Sequence, residues 1–166
     1  MNGHTRVKRV VAVLAAVALL ASTGTGVLVW RLTRDHTPQL PEISAYSQGH
    51  STRVGPFRFC QVFNPTDCVM TGEQGELPVS GRQPLQLSVP SAIGRAPWVL
   101  LRAYEDGDLI EEFRPDSRLA VTVPTVDPQR GRLIGIAVQL PTLVHDEAGN
   151  EIPVPHAEWS VRGVWN

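Results

Sequence analysis

The sequence predicts an all-β protein, an antiparallel β-sandwich of the immunoglobulin-like kind, behind one N-terminal transmembrane helix. Three observations support this prediction. Residues 10–30 contain no charge and no proline, whereas all 14 prolines follow residue 37. Several short segments after residue 54 alternate apolar and polar residues, which is typical of half-buried strands. No segment after Trp30 keeps the 3.6-residue period of an amphipathic helix.

The N-terminal segment is long enough to cross a bilayer. Its 21 uncharged positions, residues 10–30, would form a helix of about 30 Å. The segment ends at Trp30, with Arg31 beyond it, a pattern that favours an anchor at the headgroup boundary. We therefore expect an uncleaved signal anchor. The alternative is a cleaved signal with a small-residue site near Ser22–Gly24, which would give a secreted protein.

The basic residues predict the orientation of this helix. Arg6, Lys8 and Arg9 precede it, so residues 1–9 are expected to stay in the cytoplasm. Residues 31–53 are polar and show neither strand nor helix periodicity, so they are interpreted as a tether. Residues 54–166 would then be the extracytoplasmic β-sandwich domain of a single-pass plasma-membrane protein.

Both cysteines of the chain, Cys60 and Cys68, follow the predicted membrane segment. Two cysteines in one small domain outside the cytoplasm usually pair. Asn64–Pro65 between them is a turn signal that can fold the chain back on itself. A metal site needs more ligands than two thiols supply, and redox-active pairs are more often spaced C-x-x-C. The pattern therefore predicts a structural disulfide.

Three predicted strands show the clearest alternation, each with its apolar residues on one face. They are Leu85, Leu87 and Val89; Leu119, Val121 and Val123; and Ile134, Ile136, Val138 and Leu140. A proline follows each of these runs and ends the strand or places it at an edge, because proline lacks the N–H that a sheet ladder needs.

Further strands are predicted from turns and parity. Asp106–Gly107 is a strong hairpin signal between Trp98–Tyr104 and Leu109–Phe113. Trp98 is a candidate core tryptophan, although Arg102 has the same parity. The last strand aligns Trp159, Val161, Gly163 and Trp165. About seven or eight short strands favour a sandwich, and a barrel is the alternative.

Three phrases also carry a resemblance: "VGPFRFC", "RLAVTVPTVDPQRGRLIGIAVQLPTLV" and "PHAEWSVRGVW". Behind a single N-terminal hydrophobic helix, they resemble an actinobacterial family of exported or membrane-anchored proteins, domain of unknown function 2771. The resemblance covers nearly the whole chain. It implies an envelope location and brings no catalytic residue with it.

Motifs for common chemistries are absent from the sequence. It contains no G-x-S-x-G, no glycine-rich phosphate loop, no H-E-x-x-H and no EF-hand loop. From Thr37 onward, 10 arginines and no lysine stand against 15 acidic residues, a balance that disfavours nucleic-acid binding. We expect no catalytic residue, no cofactor and no enzyme activity.

One cluster offers a metal-binding alternative. His145, His156 and Glu158 could form a Zn or Cu site if Ala148–Asn150 turns a hairpin, with Asp146, Glu147 and Glu151 close in sequence. Two histidines eleven positions apart match no fixed metal spacing, so we expect polar residues of an exposed turn and no metal. The alternative function is an extracytoplasmic metal-binding protein or metal-dependent enzyme.

The favoured function is a non-catalytic binding or scaffolding module, attached to the lipid bilayer through residues 10–30. Its partner would be an envelope protein, a lipid or a glycan. The candidate partner-binding residues are the acidic side chains of one hairpin, Asp106, Asp108, Glu111 and Glu112. Such a run suits a basic partner, although acidic residues also protect exposed sheet edges from pairing.

Overall fold

The structure, a computed structural model, describes residues 3–34, 40–62, 64–145 and 148–165. The chain divides into two compact units, Met1–Gln39 and Leu40–Asn166. Helix α1, Gly3–Arg34, makes up the described part of the first unit. The hydroxyl groups of Ser22 and Thr25 donate to backbone carbonyls four residues earlier, at 2.7 and 2.8 Å, so these polar side chains are satisfied within the helix. No helix in the described ranges is long and apolar enough to span a membrane.

In its described residues, the second unit contains twelve strands and one short helix, α2 (Ser91–Gly94). The first six strands are β1 (Ile43–Ser47), β2 (His50–Val54), β3 (Arg58–Gln61), β4 (Asn64–Met70), β5 (Gly75–Val79) and β6 (Leu85–Ser88). The remaining six are β7 (Trp98–Tyr104), β8 (Gly107–Phe113), β9 (Ala120–Val123), β10 (Val126–Asp127), β11 (Gly131–His145) and β12 (Glu151–Trp165).

The strands form two sheets. The smaller has the order β2-β1-β6-β9, and the larger has the order β4-β3-β12-β11-β7-β8, with β10 paired to β11 and β5 paired to β12. All pairings are antiparallel except that of β5 with β12. The predicted class, a mostly antiparallel all-β fold, is confirmed.

One hydrophobic core lies between residues of both sheets. Ile43 and Leu87 come from the smaller sheet, and Trp98, Val138 and Trp159 come from the larger, and all five are in the same buried cluster. Burial of a Val, Leu or Ile side chain stabilises a fold by about 1.5–3 kcal/mol, so this shared cluster holds the two sheets together. Trp98, the predicted core tryptophan, is fully buried and stacks on Phe113 with ring centroids 4.1 Å apart.

The start of the β domain differs from the predicted boundary at residue 54. Helix α1 continues to Arg34, and β1 and β2 occupy most of the second half of the predicted tether, residues 31–53. Ile43 and Ala45 are buried on one face of β1, but alanine and serine make that alternation weak in the sequence. The hairpin turn at Gln48–Gly49 has φ of 51° and 80°, as a tight β-hairpin requires.

Two of the predicted apolar faces are changed at single positions. Ile134 is 49% exposed, because the register between β11 and β7 shifts between Leu133 and Gly135 and the buried position passes to Leu133. Such an irregularity reverses the face of the residues on one side of it. Leu119 is 48% exposed and lies just before β9.

Candidate functional site

Cys60 and Cys68 are bonded to each other, as predicted. They lie opposite each other in the β3–β4 pair, with Cα atoms 3.9 Å apart. Strand β4 is the outermost strand on this side of the larger sheet, and β3 pairs with β12 through only Phe59 and Arg58. The disulfide therefore joins the two strands of a hairpin at one end of the larger sheet, and we assign it a structural role.

The histidines of the metal-binding alternative are not brought together. The predicted hairpin forms, and His145 pairs with Glu151 next to its turn, with Nε2 3.7 Å from Oε1. His156 lies at the register shift near Leu140, five residues along β11 from His145, which is a separation of roughly 15 Å at strand spacing. Asp146 and Glu147 lie outside the described residues. Elsewhere in the described chain no group of three or more His, Cys, Asp or Glu residues could hold a metal ion.

His156 is instead a half-buried side chain in the fold. Its ring meets the ring of Phe59 edge to face, with centroids 6.2 Å apart. Burial lowers the pKa of His156, and the backbone of Leu140 opposes this effect in part. The neutral imidazole is therefore the favoured form. Glu158, the third candidate ligand, receives a hydrogen bond from Gln139 Nε2 at 3.4 Å.

The predicted acidic hairpin is formed by β7 and β8, which pair from Trp98–Phe113 to Tyr104–Gly107. Gly107 has a φ of 122°, which suits glycine at this tight turn. Strand β8 ends the larger sheet, and within the described residues it pairs with β7 alone. The hairpin therefore presents one open strand edge.

The acidic side chains of this hairpin point to both faces of the sheet. Glu111 shares the core-facing side with Trp98 and Arg102, and its Oε2 lies 2.7 Å from Arg102 Nη2. This ion pair explains how the charged Arg102 can lie on the same face of β7 as the buried Trp98. It also removes Glu111 from the set of carboxylates available to a partner.

Three side chains of β8 point away from the core. Asp108, Ile110 and Glu112 alternate with Leu109 and Glu111, so they share the outer face of the sheet. Asp108 and Glu112 are exposed, and Ile110 is 65% exposed. Asp106, in the turn, is exposed as well. We call Asp106, Asp108, Ile110 and Glu112 the acidic edge.

An apolar cleft of about 310 Å³ adjoins the acidic edge at Glu112. We call it the proline cleft, because four of its lining residues are Pro97, Pro141, Pro153 and Pro155. Val99 of β7 pairs with Gln139 of β11, and both residues line the cleft beside Glu112. Proline rings cannot rotate away as flexible side chains do, so the cleft has a largely preformed wall.

The acidic edge and the proline cleft place carboxylates and apolar surface side by side, and their described residues include no nucleophile with an adjacent base. A partner with apolar and cationic groups would meet apolar surface and carboxylates on the same face of the sheet. Sequence reasoning identified the carboxylates and missed the cleft. The signal was present as the proline of "QLPT", which the sequence predicts to end its strand or lie at an edge. That prediction is wrong, because Pro141 lies within the inner strand β11, where the register with β12 shifts.

Residues 36–164 match the family described as "Protein of unknown function (DUF2771)". The chain is 59% identical over 158 residues to an uncharacterized protein of Mycobacterium tuberculosis, and equally to one of Mycobacterium bovis. Each alignment covers 93% of this chain and 98% of the relative. No solved structure matches the chain significantly.

Proposed function

This chain belongs to an actinobacterial family of proteins of unknown function, DUF2771, and we propose that it is a non-catalytic binding module of the cell envelope. In this proposal residues 10–30 anchor an immunoglobulin-like β-sandwich at the outer face of the plasma membrane. The domain binds an extended, basic segment of another extracytoplasmic protein along its acidic edge.

The observation that carries the proposal is the combination of an open strand edge with exposed carboxylates and apolar surface. Strand β8 leaves one side unpaired within the described residues, so its backbone groups on that side can pair with an added strand. Asp108 and Glu112 are exposed on either side of Ile110. An incoming strand with basic, apolar and basic residues at every second position would meet these three side chains in order.

Charge decides which strand can add. Acidic residues on an edge repel another acidic edge, and they therefore prevent two copies of this domain from pairing through β8. A basic segment reverses that effect, because each cation meets a carboxylate that has no ion pair among the described residues. The proline cleft next to Glu112 then accepts an apolar side chain of the partner.

The membrane anchor is supported by two independent features. Residues 10–30 are uncharged, and in α1 the side chains of Leu19 and Leu20 are 69% and 74% exposed. A lipid bilayer would cover these leucines. The disulfide is consistent with an oxidising compartment beyond that membrane.

Membrane fractionation with mass spectrometry of the N-terminus tests the anchor. We expect the intact chain in the membrane fraction, resistant to extraction by high salt. A mature protein that begins near Thr25 would overturn the anchor and favour the secreted alternative.

Binding of two synthetic peptides to the full-length chain in neutral detergent tests the edge. One peptide has lysine, valine and lysine at every second position with threonine between them, and the other differs from it only by prolines at the positions whose N–H groups donate to the edge. We expect the first to bind and the second to bind at least about tenfold more weakly, because proline removes the strand hydrogen bonds. Equal affinity of the two peptides would contradict strand addition.

A matched pair of variants tests the carboxylates. The double variant Asp108→Lys/Glu112→Lys should lose the lysine peptide, most clearly at low salt, where exposed charges are least screened. The control Glu42→Lys/Glu73→Lys changes the net charge equally at exposed positions away from β8 and should keep the peptide. Cross-linking in native membranes with the same variants then identifies the physiological partner. If the β8 variant and the control variant both cross-link to the same lipid or glycan, the proposal of a protein partner at this edge is refuted.

A further inference from the structure

A second cleft, of about 620 Å³, lies where four separate segments of the β domain meet. Its lining includes Gln48, Ser80, Arg82, Val126, Arg132 and Trp165. Gln48 comes from the β1–β2 turn, Ser80 and Arg82 follow β5, Val126 and Arg132 come from the β10–β11 pair, and Trp165 ends β12. None of these residues belongs to the acidic edge or to the proline cleft. We call this cavity the arginine cleft.

The walls of the arginine cleft are held by contacts with buried groups. The Thr125 hydroxyl, 4% exposed as a residue, donates to the Ser80 carbonyl at 2.7 Å and lies 3.1 Å from the Gln83 carbonyl. It therefore supports both sides of the turn that carries Arg82. The indole N–H of Trp165 donates to the Leu133 carbonyl at 2.9 Å, and Trp165 pairs with Val79 across the parallel β5–β12 contact.

The charge of the cleft is opposite to that of the domain around it. From Thr37 onward the chain has 10 arginines against 15 acidic residues, yet the lining contains two arginines and no carboxylate. Neither Arg82 nor Arg132 takes part in an ion pair within the described part of the chain. Glu105 lies close to Arg132 but accepts its backbone N–H, at 3.0 Å.

Two uncharged side chains, Trp165 and Gln48, lie beside the two cations. The guanidinium of Arg132 lies over the Trp165 ring, 5.1 Å from its centroid, so the ring restrains it while its N–H groups remain able to donate. Gln48 adds an uncharged amide side chain to the wall of the cleft.

We propose that the arginine cleft binds a small molecule that carries a phosphate monoester. Two guanidinium groups complement the charge of a phosphate dianion, and their planar N–H donors match its oxygens. The cavity volume, about 620 Å³, lies within the range of small-molecule sites and exceeds the size of the ion alone, so the ligand has a polar body beside Ser80 and Gln48. The site is independent of the acidic edge.

Calorimetric titration of the full-length chain in neutral detergent tests the proposal, with glycerol 3-phosphate as the probe and acetate as the comparison anion. A second arm adds phosphatidic acid to the micelles, which distinguishes a lipid phosphate from a soluble one. The indole N–H signal of Trp165 in a ¹⁵N-labelled sample, assigned from Trp165→Phe, reports whether the ligand is in this cleft.

Saturable binding with a shift of the Trp165 signal in either arm is the expected result. The variants Arg82→Ala and Arg132→Ala should each weaken the binding by about tenfold or more, the scale of one lost charge-assisted hydrogen bond. Arg118→Ala removes an exposed arginine outside the cleft and should bind as the wild type does.

Three results would overturn the proposal. The first is the absence of saturable binding in both arms. The second is equal binding by the wild type and the two cleft variants, which would place the anion elsewhere on the surface. The third is acetate binding as tight as that of the phosphate monoester, which would assign the cleft to carboxylates. Arg82 is exposed in a turn, so we expect Arg82→Ala to keep the fold, and weaker binding by this variant would reflect the lost guanidinium.

Discussion

Arg102 and Glu111 form an ion pair on the core-facing side of the β7–β8 hairpin, with Nη2 and Oε2 2.7 Å apart. Their side chains are 17% and 39% exposed, so the pair is only partly solvated. Four carboxylates were predicted to bind a partner. Of these, Glu111 lies on the core-facing side of β8 and contacts Arg102, whereas Asp108 and Glu112 lie on the outer face.

This ion pair predicts different effects for two neighbouring substitutions. Glu111→Gln should lower the free energy of unfolding by about 1–2 kcal/mol, because Arg102 keeps its charge in a half-buried position without the carboxylate. Asp108→Asn, on the outer face of the same strand, should change it by less than about 0.5 kcal/mol. Urea denaturation of both variants measures the difference. The reverse order would show that the pair adds no stability.

Replacement of Cys60 and Cys68 by serine should destabilise the β domain. Closing a loop of this length stabilises a fold by about 2.5 kcal/mol in the chain-entropy estimate. Denaturation of the double variant beside the wild type measures the loss, and reduced wild type serves as the control for the substitutions themselves. Thiol labelling of denatured, unreduced protein should find no free thiol, and two labelled cysteines would refute the bond.

Removal of residues 164–166 should weaken the fold although they are at the chain terminus. Trp165 packs against the core, its indole donates to the Leu133 carbonyl, and its strand pairs with β5 up to Val79. We expect a loss of about 3 kcal/mol, the scale of truncating a buried aromatic residue. Removing Asn166 alone is the control. A melting temperature unchanged by the longer truncation would show that the last strand end is peripheral.

The lowered pKa of His156 predicts a loss of stability in acid. The unfolded chain binds a proton near the ordinary pKa of about 6.5, whereas the folded chain resists protonation because the ring is half-buried. The free energy of unfolding should therefore fall as the pH drops through 6.5 and toward the lower folded pKa.

The variant His156→Gln should show a smaller loss between pH 8 and pH 5. His145→Gln is the matched control for replacing an exposed histidine, because the His145 side chain is 68% exposed. Thermal melts of the three proteins at the two pH values provide the measurement. An identical pH dependence in all three would mean that His156 is as accessible to protons in the folded chain as in the unfolded one.

Local patterns in the sequence predicted much of the β domain. The alternation of Leu85 and Leu87 gave the buried face of β6, Asp106–Gly107 gave the β7–β8 hairpin, and the two cysteines gave the disulfide. Each of these features depends on neighbours within a few residues, where side-chain period and turn chemistry decide the backbone. The weak alternation of Ile43 and Ala45 was hidden by small side chains, so the sequence placed that strand in the tether.

The sequence by itself determined that the β domain folds as strands, that its two cysteines pair and that the residues from Thr37 onward carry a net negative charge. Only the tertiary structure decided that β12 pairs with β5 in parallel, that Arg102 turns inward to Glu111, and that Arg82, Arg132 and Trp165 line one cleft. Strand pairing brings together residues far apart in the chain, and a period of two residues contains no information about which strands become neighbours. A site assembled from several strand ends is therefore visible only in the folded domain.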